Sequence, residues 1–262
     1  MMEAFPDELL LKIFENLSPS SILESSWQHP KSNHLANVCR VNRQCNRIAT
    51  PLLYEVVGRD QGIAVDSRGR SFHVFQGSRF NQLIRTLRSR PVLWLCIKEL
   101  SNHHVPNRDT SPDETDANAD DPYSTDAKYT ALLESMSDEL RIPHSFDVVR
   151  RHELEAKNGT DMLFTLAIFL APNLEHLVVN IAGQQESPSE LGCLIIEGIA
   201  RSACNLPLGR SHSFEKLRVL ELHRLRTVPT THALPLLSLP KLASLRLERW
   251  YVIRARTAWG NH

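Results

Sequence analysis

The chain is short of most things that covalent chemistry needs. Its five cysteines (Cys39, Cys45, Cys96, Cys193 and Cys204) are scattered and form no CxxC pair. That argues against both a zinc site and a disulfide framework. Cys39, Cys96 and Cys193 have apolar neighbours and read as small core residues. There is no surplus of charge: 30 Lys and Arg balance 30 Asp and Glu, so nothing pulls the chain as a whole toward nucleic acid or a membrane. No apolar run approaches the roughly 20 residues that span a bilayer. Glu3, Asp7 and Glu8 stand where a secretory signal would carry basic residues. The expected setting is therefore the cytosol or nucleus, where the triplets Asn16-Leu17-Ser18 and Asn158-Gly159-Thr160 would carry no glycan. GxSxG, HExxH, P-loop and dinucleotide-binding motifs are all missing. The twelve histidines are dispersed, and the pair His103-His104 reads as solvated. No catalytic residue, metal ligand or cofactor is expected.

What is present concentrates at the N-terminus. Pro6 suits the first turn of a helix, where its missing N–H is not needed. Asp7 and Glu8 place negative charge at the positive end of the helix dipole. Leu9, Leu10, Ile13, Phe14 and Leu17 then recur at helical spacing, filling an arc of roughly 140° that Leu11 widens to about 200°. Lys12, Glu15 and Asn16 occupy the polar remainder. A surface helix needs an apolar stripe of only about 100°. The excess predicts a helix that packs on its own domain on one side and on a partner on the other.

A second segment runs Val38-Cys39-Arg40-Val41-Asn42-Arg43-Gln44-Cys45-Asn46-Arg47-Ile48-Ala49-Thr50-Pro51-Leu52-Leu53-Tyr54. Together with Phe5-Pro6-Asp7-Glu8-Leu9-Leu10, it resembles an F-box, the helical module that docks a Skp-family adaptor in Skp–cullin–F-box ubiquitin ligases. The chain departs from that pattern at Glu24 to Leu35, which carries Trp27 and Pro30. This stretch reads either as a loop between the second and third helices or as a second helix broken at Pro30. Trp27 reads as a local core residue. Arg40, Arg43 and Arg47 are expected on one helical face, open to solvent, to an acidic adaptor surface or to phosphate.

Farther on, residues 79–90 have helical spacing ended by Pro91, and Val92 to Leu100 reads as a strand. Residues 106–126 hold three prolines and seven acidic residues, with Thr110, Ser111 and Thr115 as possible phosphorylation sites. They bury too little to offset ordering entropy and read as a disordered acidic loop. Helical spacing returns from Tyr129 to Leu140. Asp161 reads as the cap of a helix from Met162 to Leu170 ended by Pro172.

A repeat then appears: Leu174-x-x-Leu177-x-Val179, Leu217-x-x-Leu220-x-Leu222 and Leu242-x-x-Leu245-x-Leu247. The last two copies lie 25 residues apart, within the leucine-rich-repeat range. The gap before them is 43 residues and holds an apolar segment, Leu191 to Ala203, that reads as a helix. Alternation sends the leucines inward and the intervening residues outward on short parallel strands, whose stacking buries a core no single copy could. The positions where the repeat expects Asn or Cys hold Leu225 and Trp250.

The expected fold is therefore α/β overall. It comprises an all-α three-helix F-box at residues 1–57, a linker helix and first repeat-like strand at 58–105, the acidic loop at 106–127, and an irregular leucine-rich region, a parallel β/α solenoid, at 128–262. F-box followed by leucine-rich repeats is similar to many fungal F-box proteins. The resemblance implies a non-catalytic substrate receptor. It would bind the adaptor, and through it a cullin, by Pro6, Leu9, Leu10, Ile13, Leu17, Ile22, Leu23, Val38, Leu52, Leu53 and Tyr54. An unknown protein substrate would meet the outward residues His176, Val178, Val219, Glu221, Ser244 and Arg246. The alternative is a leucine-rich scaffold with no role in ubiquitination.

Overall fold

The structure, a computed structural model, describes residues 5–17, 31–58, 61–65, 71–75, 77–102, 127–141, 159–180, 190–223 and 234–248. The expectations for Ile22, Leu23, Trp27, the acidic loop, Leu225 and Trp250 fall outside these residues. No helix among them is long and apolar enough to cross a membrane.

Three helices open the chain: α1 (Asp7–Glu15), α2 (Lys31–Val38) and α3 (Arg43–Leu53). They enclose a small core of Phe14, Leu35, Cys45 and Ala49, with Leu10, Leu17, Val38, Ile48, Leu52 and Leu53 packed around it. The Pro6 carbonyl accepts from the Leu9 and Leu10 amides, which starts α1. α2 begins directly after Pro30, so Lys31 to Leu35 is helix and not inserted loop, and Leu35 is wholly buried. Arg40 sits in the turn between α2 and α3, so it does not share a helical face with Arg43 and Arg47. The Asn42 side chain accepts from the Cys45 N–H at 2.7 Å and caps α3. Asn42→Ala should remove about 1 kcal/mol, seen as roughly fivefold faster exchange of the Cys45 amide; an unchanged rate would mean that the cap is idle.

The rest is mixed helix and strand. A five-stranded parallel sheet consists of β1 (Val56–Gly58), β4 (Glu99–Asn102), β5 (His176–Asn180), β6 (Val219–His223) and β7 (Ser244–Glu248), paired in chain order. A separate antiparallel hairpin, β2 (Gln61–Val65) and β3 (Ser71–Phe75), lies between β1 and β4 in the chain. The connections also carry α4 (Gly77–Ser89), α5 (Ala127–Leu140), α6 (Gly159–Leu170) and α7 (Glu190–Ala203). The α6 helix starts two residues before Asp161, so that residue lies inside the helix and does not cap it. Being apolar all round, α6 is buried from Met162 to Phe169 and packs on α4, α5 and α7.

Residues 92–100 are not one strand. Pro91 opens a 3₁₀ helix to Cys96, and the strand begins only at Glu99. Leu93, Trp94 and Ile97 point into the core while Val92 and Leu95 are exposed. That is a helical turn's spacing and not an alternation.

Each strand is hung on the one before it. The carbonyl just ahead of a strand accepts two amides from the next lead-in: Glu55 from Lys98 and Glu99, Lys98 from Glu175 and His176, Glu175 from Arg218 and Val219, and Arg218 from Ala243 and Ser244, all at 2.7–3.0 Å. The side chains of these lead-ins alternate in sign, Glu55, Lys98, Glu175, Arg218, and Lys98 Nζ reaches Glu55 at 2.7 Å. The hydrogen bond to Glu55 raises the Lys98 pKa. Inward residues align across the sheet as Val57, Leu100, Leu177, Leu220 and Leu245. All but Leu245 are buried in the main core.

Candidate functional site

Two surfaces carry the unsatisfied features of this molecule. The first is the N-terminal helical unit. Leu10, Phe14 and Leu17 turn α1 toward its own core, yet Leu9 and Ile13 remain 49% and 53% exposed on one flank. Pro6, Phe5 and Val41 are exposed as well. Leaving such side chains in water forgoes roughly 1–3 kcal/mol each, which a unit with a four-residue buried core recovers nowhere else.

The expected adaptor-binding set therefore divides. Pro6, Leu9 and Ile13 are available, whereas Leu10, Leu17, Val38 and Leu53 pack inward because the small core needs them. Tyr54 belongs to the other core, where burial raises its phenol pKa. Leu52 packs on the small core and also lines a groove on the opposite flank of α1.

That groove, of about 350 Å³, lies between α1 and α3, with Leu11, Ile48, Pro51 and Leu52 as its apolar lining and Asp7, Glu8 and Arg47 beside them. Asp7 ties the helices together: Gln44 Nε2 donates to its Oδ1 at 2.8 Å and to the Phe5 carbonyl at 2.8 Å, and Arg47 pairs with its Oδ2. The Gln44 hydrogen bond, with help from Arg47, lowers the Asp7 pKa.

The second surface is the sheet face turned away from the leucine core. Register places Glu99, His176, Val219 and Ser244 in one row, and Ser101, Val178, Glu221 and Arg246 in the next. This face was expected to be open throughout. Instead His176, Val178 and Glu221 are buried, Glu221 to 6% exposure, while Val219 is half-buried and only Ser244 and Arg246 are exposed. Alternation fixes which face a residue takes, not whether that face meets water.

A charged network crosses the strands here. His176 lies between Glu99 (Nδ1 to Oε2, 3.7 Å) and Glu221 (Nε2 to Oε1, 4.0 Å), and its Nε2 makes no hydrogen bond. His223 sits 3.1 Å from Glu221 and 2.7 Å from Glu248. Only a doubly protonated imidazole donates to both carboxylates. Arg246 approaches the same two carboxylates at 3.7 and 4.0 Å. Glu99, His223 and Glu248 were missed by sequence reasoning. The frame Ile97-x-x-Leu100-x-Asn102 would have found Glu99, and two-residue steps from Glu221 and Arg246 would have found the others. Among the described residues, no group of three or more His, Cys, Asp and Glu side chains is placed to hold a metal ion.

Comparison with protein-family models, curated proteins and solved structures finds no match to this chain. The functional reading rests on the two surfaces themselves.

Proposed function

We propose that the chain is the substrate-recognition subunit of a Skp–cullin–F-box ubiquitin ligase, with residues of the N-terminal helical unit docking the adaptor. The observation that carries this is the exposure of Leu9 and Ile13 on a helix already packed through Leu10 and Phe14, in a segment that reads Phe5-Pro6-Asp7-Glu8-Leu9-Leu10. An apolar flank beyond what the core uses calls for a partner surface. The parallel strands, ordered along the chain with repeated lead-in bonds, support the leucine-rich reading of the remainder. A protein substrate would engage the open end of the sheet at Ser244 and Arg246, with His223 and Glu248 beside them. The chain itself would make no bonds. It would raise the local concentration of a substrate lysine near a conjugating enzyme.

Co-expression with a Skp-family adaptor, then pull-down and size exclusion, tests this. The intact chain should form a one-to-one complex, and Leu9→Asp/Ile13→Asp should weaken it by about a hundredfold or more, since two carboxylates would be buried unpaired. Both sites are exposed, so the variant should stay folded. A soluble intact chain that ignores the adaptor would sink the ligase reading.

A further inference from the structure

The leucine core is closed at β6 and open at β7. Leu217, Leu220 and Leu222 are fully buried. One unit on, in the same frame, Leu242 and Leu245 are half-buried and Leu247 is 38% exposed. Leu234 and Leu237, in the helical turn that leads into β7, are 69% and 65% exposed, although Leu236 and Leu239 of the same segment are buried. A stacked unit buries its apolar side only against a neighbour. β6 occupies one edge of β7, and among the described residues no strand occupies the other. Such an edge is a template for another strand.

β7 is complementary to a second copy of itself. Ser244, Arg246 and Glu248 share the outward face and Leu245 and Leu247 the inward one. In an antiparallel pair, residues directly opposite each other lie on the same face, so a two-fold axis that keeps leucine with leucine passes through a single residue. Axes through Arg246 or Glu248 would oppose like charges, which is unfavourable. An axis through Leu245 sets Arg246 against Ser244. An axis through Leu247 places Arg246 of each protomer opposite Glu248 of the other, twice over, and brings the two Leu247 side chains together. Both charged side chains are free to turn, at 60% and 45% exposure. Arg246 lies 3.7 and 4.0 Å from its carboxylates within the chain, longer than a charge-assisted hydrogen bond of about 2.7–2.9 Å. Glu248 is 2.7 Å from His223, and a carboxylate has about four acceptor positions.

We infer that two copies of this chain pair through the β7 edges, antiparallel and with the two-fold axis at Leu247, so that two five-stranded sheets become one continuous sheet. Such an interface is isologous and closes on itself. It uses no residue of the N-terminal helical unit, so the inference stands whether or not that unit binds an adaptor.

Sedimentation velocity of the full chain, over an about hundredfold range of concentration, should show a reversible monomer–dimer equilibrium. Arg246→Glu opposes two pairs of carboxylates across the axis and should weaken the dimer by about tenfold. Glu248→Arg opposes two pairs of guanidinium groups and should do the same. The double exchange Arg246→Glu/Glu248→Arg restores opposite charges and should bring the dimer back to within about threefold of the parent. A second arm does not depend on the charge variants folding. In Leu247→Cys, mild oxidation should join the two introduced thiols, because opposed Cα atoms lie about 4.5–5.5 Å apart, within disulfide reach; peptide mass spectrometry identifies the link. A chain that stays monomeric throughout, a dimer indifferent to Arg246→Glu, a double exchange no better than the single changes, or an oxidised dimer joined only through other cysteines would each overturn the proposal.

Discussion

Replacing Gly209 by alanine should destabilise the protein by about 3 kcal/mol, a large loss for one methyl group. Gly209 sits at φ +60, where an added Cβ strains the backbone by about 1 kcal/mol. Space makes it worse. The new carbon would meet the carbonyl oxygens of Leu140 and Arg141, which are backbone atoms at the C-terminus of α5 and cannot swing aside. The Leu140 oxygen is already committed, accepting from the Arg210 N–H at 2.6 Å. Relief therefore means pulling the turn off α5, with Leu208 and Ser211, both buried, drawn outward. Thermal denaturation should show a melting temperature roughly 6–12 °C lower. Asn205→Gly provides the contrast: Asn205 holds φ +58 at an exposed position, and glycine there should cost nothing. A Gly209→Ala change within about 0.5 kcal/mol of the parent would mean that the turn is not pinned to α5.

The second large effect depends on pH. His212 joins the end of α6 to the lead-in of β6. Its Nε2–H donates to the Ile168 carbonyl at 2.9 Å, and its Nδ1 accepts from the Phe214 N–H at 3.1 Å. The ring also packs against Phe214, with centroids 4.0 Å apart, and Phe214 itself holds φ +50 while buried. A second proton has no acceptor there, because Nδ1 already receives an N–H. Burial lowers the His212 pKa to about 4, against a partial opposing effect from the Ile168 hydrogen bond. Unfolded, the same ring takes a proton near pH 6.5. The unfolded state therefore binds the extra proton between about pH 6.5 and 4, and stability falls as pH drops through that window. Between pH 7 and pH 5 the His212 share of the loss is about 2 kcal/mol. Urea unfolding at the two pH values should show it, and His212→Gln should flatten the difference by that amount while lowering stability at pH 7. An unaltered pH dependence in the variant would assign the acid sensitivity to other groups.

How much of this was written in the sequence follows from which forces are local. The α1 stripe was legible because Leu10, Phe14 and Leu17 recur at the helical period, and its surplus in Leu9 and Ile13 was legible for the same reason. β5, β6 and β7 were legible because Leu174, Leu217 and Leu242 each open the same frame, an apolar residue three and five places on. The first member of the sheet was hidden, and the second was expected as a strand over Val92 to Leu100 that overlaps the observed one only at Glu99 and Leu100. Tyr54-x-x-Val57 and Ile97-x-x-Leu100 keep the spacing, but valine or isoleucine replaces leucine and Asn102 ends the frame. A short apolar run such as Val92 to Ile97 does not distinguish a strand from a turn of helix; Pro91 decided the matter by opening a 3₁₀ turn. Tyr54 looked like the tail of the helical module, yet its side chain serves the larger core. The burial of His176, Val178 and Glu221 was beyond local reading altogether. What covers a sheet face is set by tertiary packing, and no period within a five-residue strand encodes it.

The strand lead-ins have a consequence for how such a chain tolerates change. Each rests on a single carbonyl of its predecessor, at Glu55, Lys98, Glu175 and Arg218, and the described elements that follow differ from one lead-in to the next: a hairpin and α4 after Glu55, α5 and α6 after Lys98, and α7 after Glu175. Position in the sheet is thus handed on from neighbour to neighbour and owes nothing to the length of what lies between. Segments can be lengthened or exchanged between lead-ins while the order of the strands persists. An error at one lead-in, by contrast, is inherited by every strand that follows it.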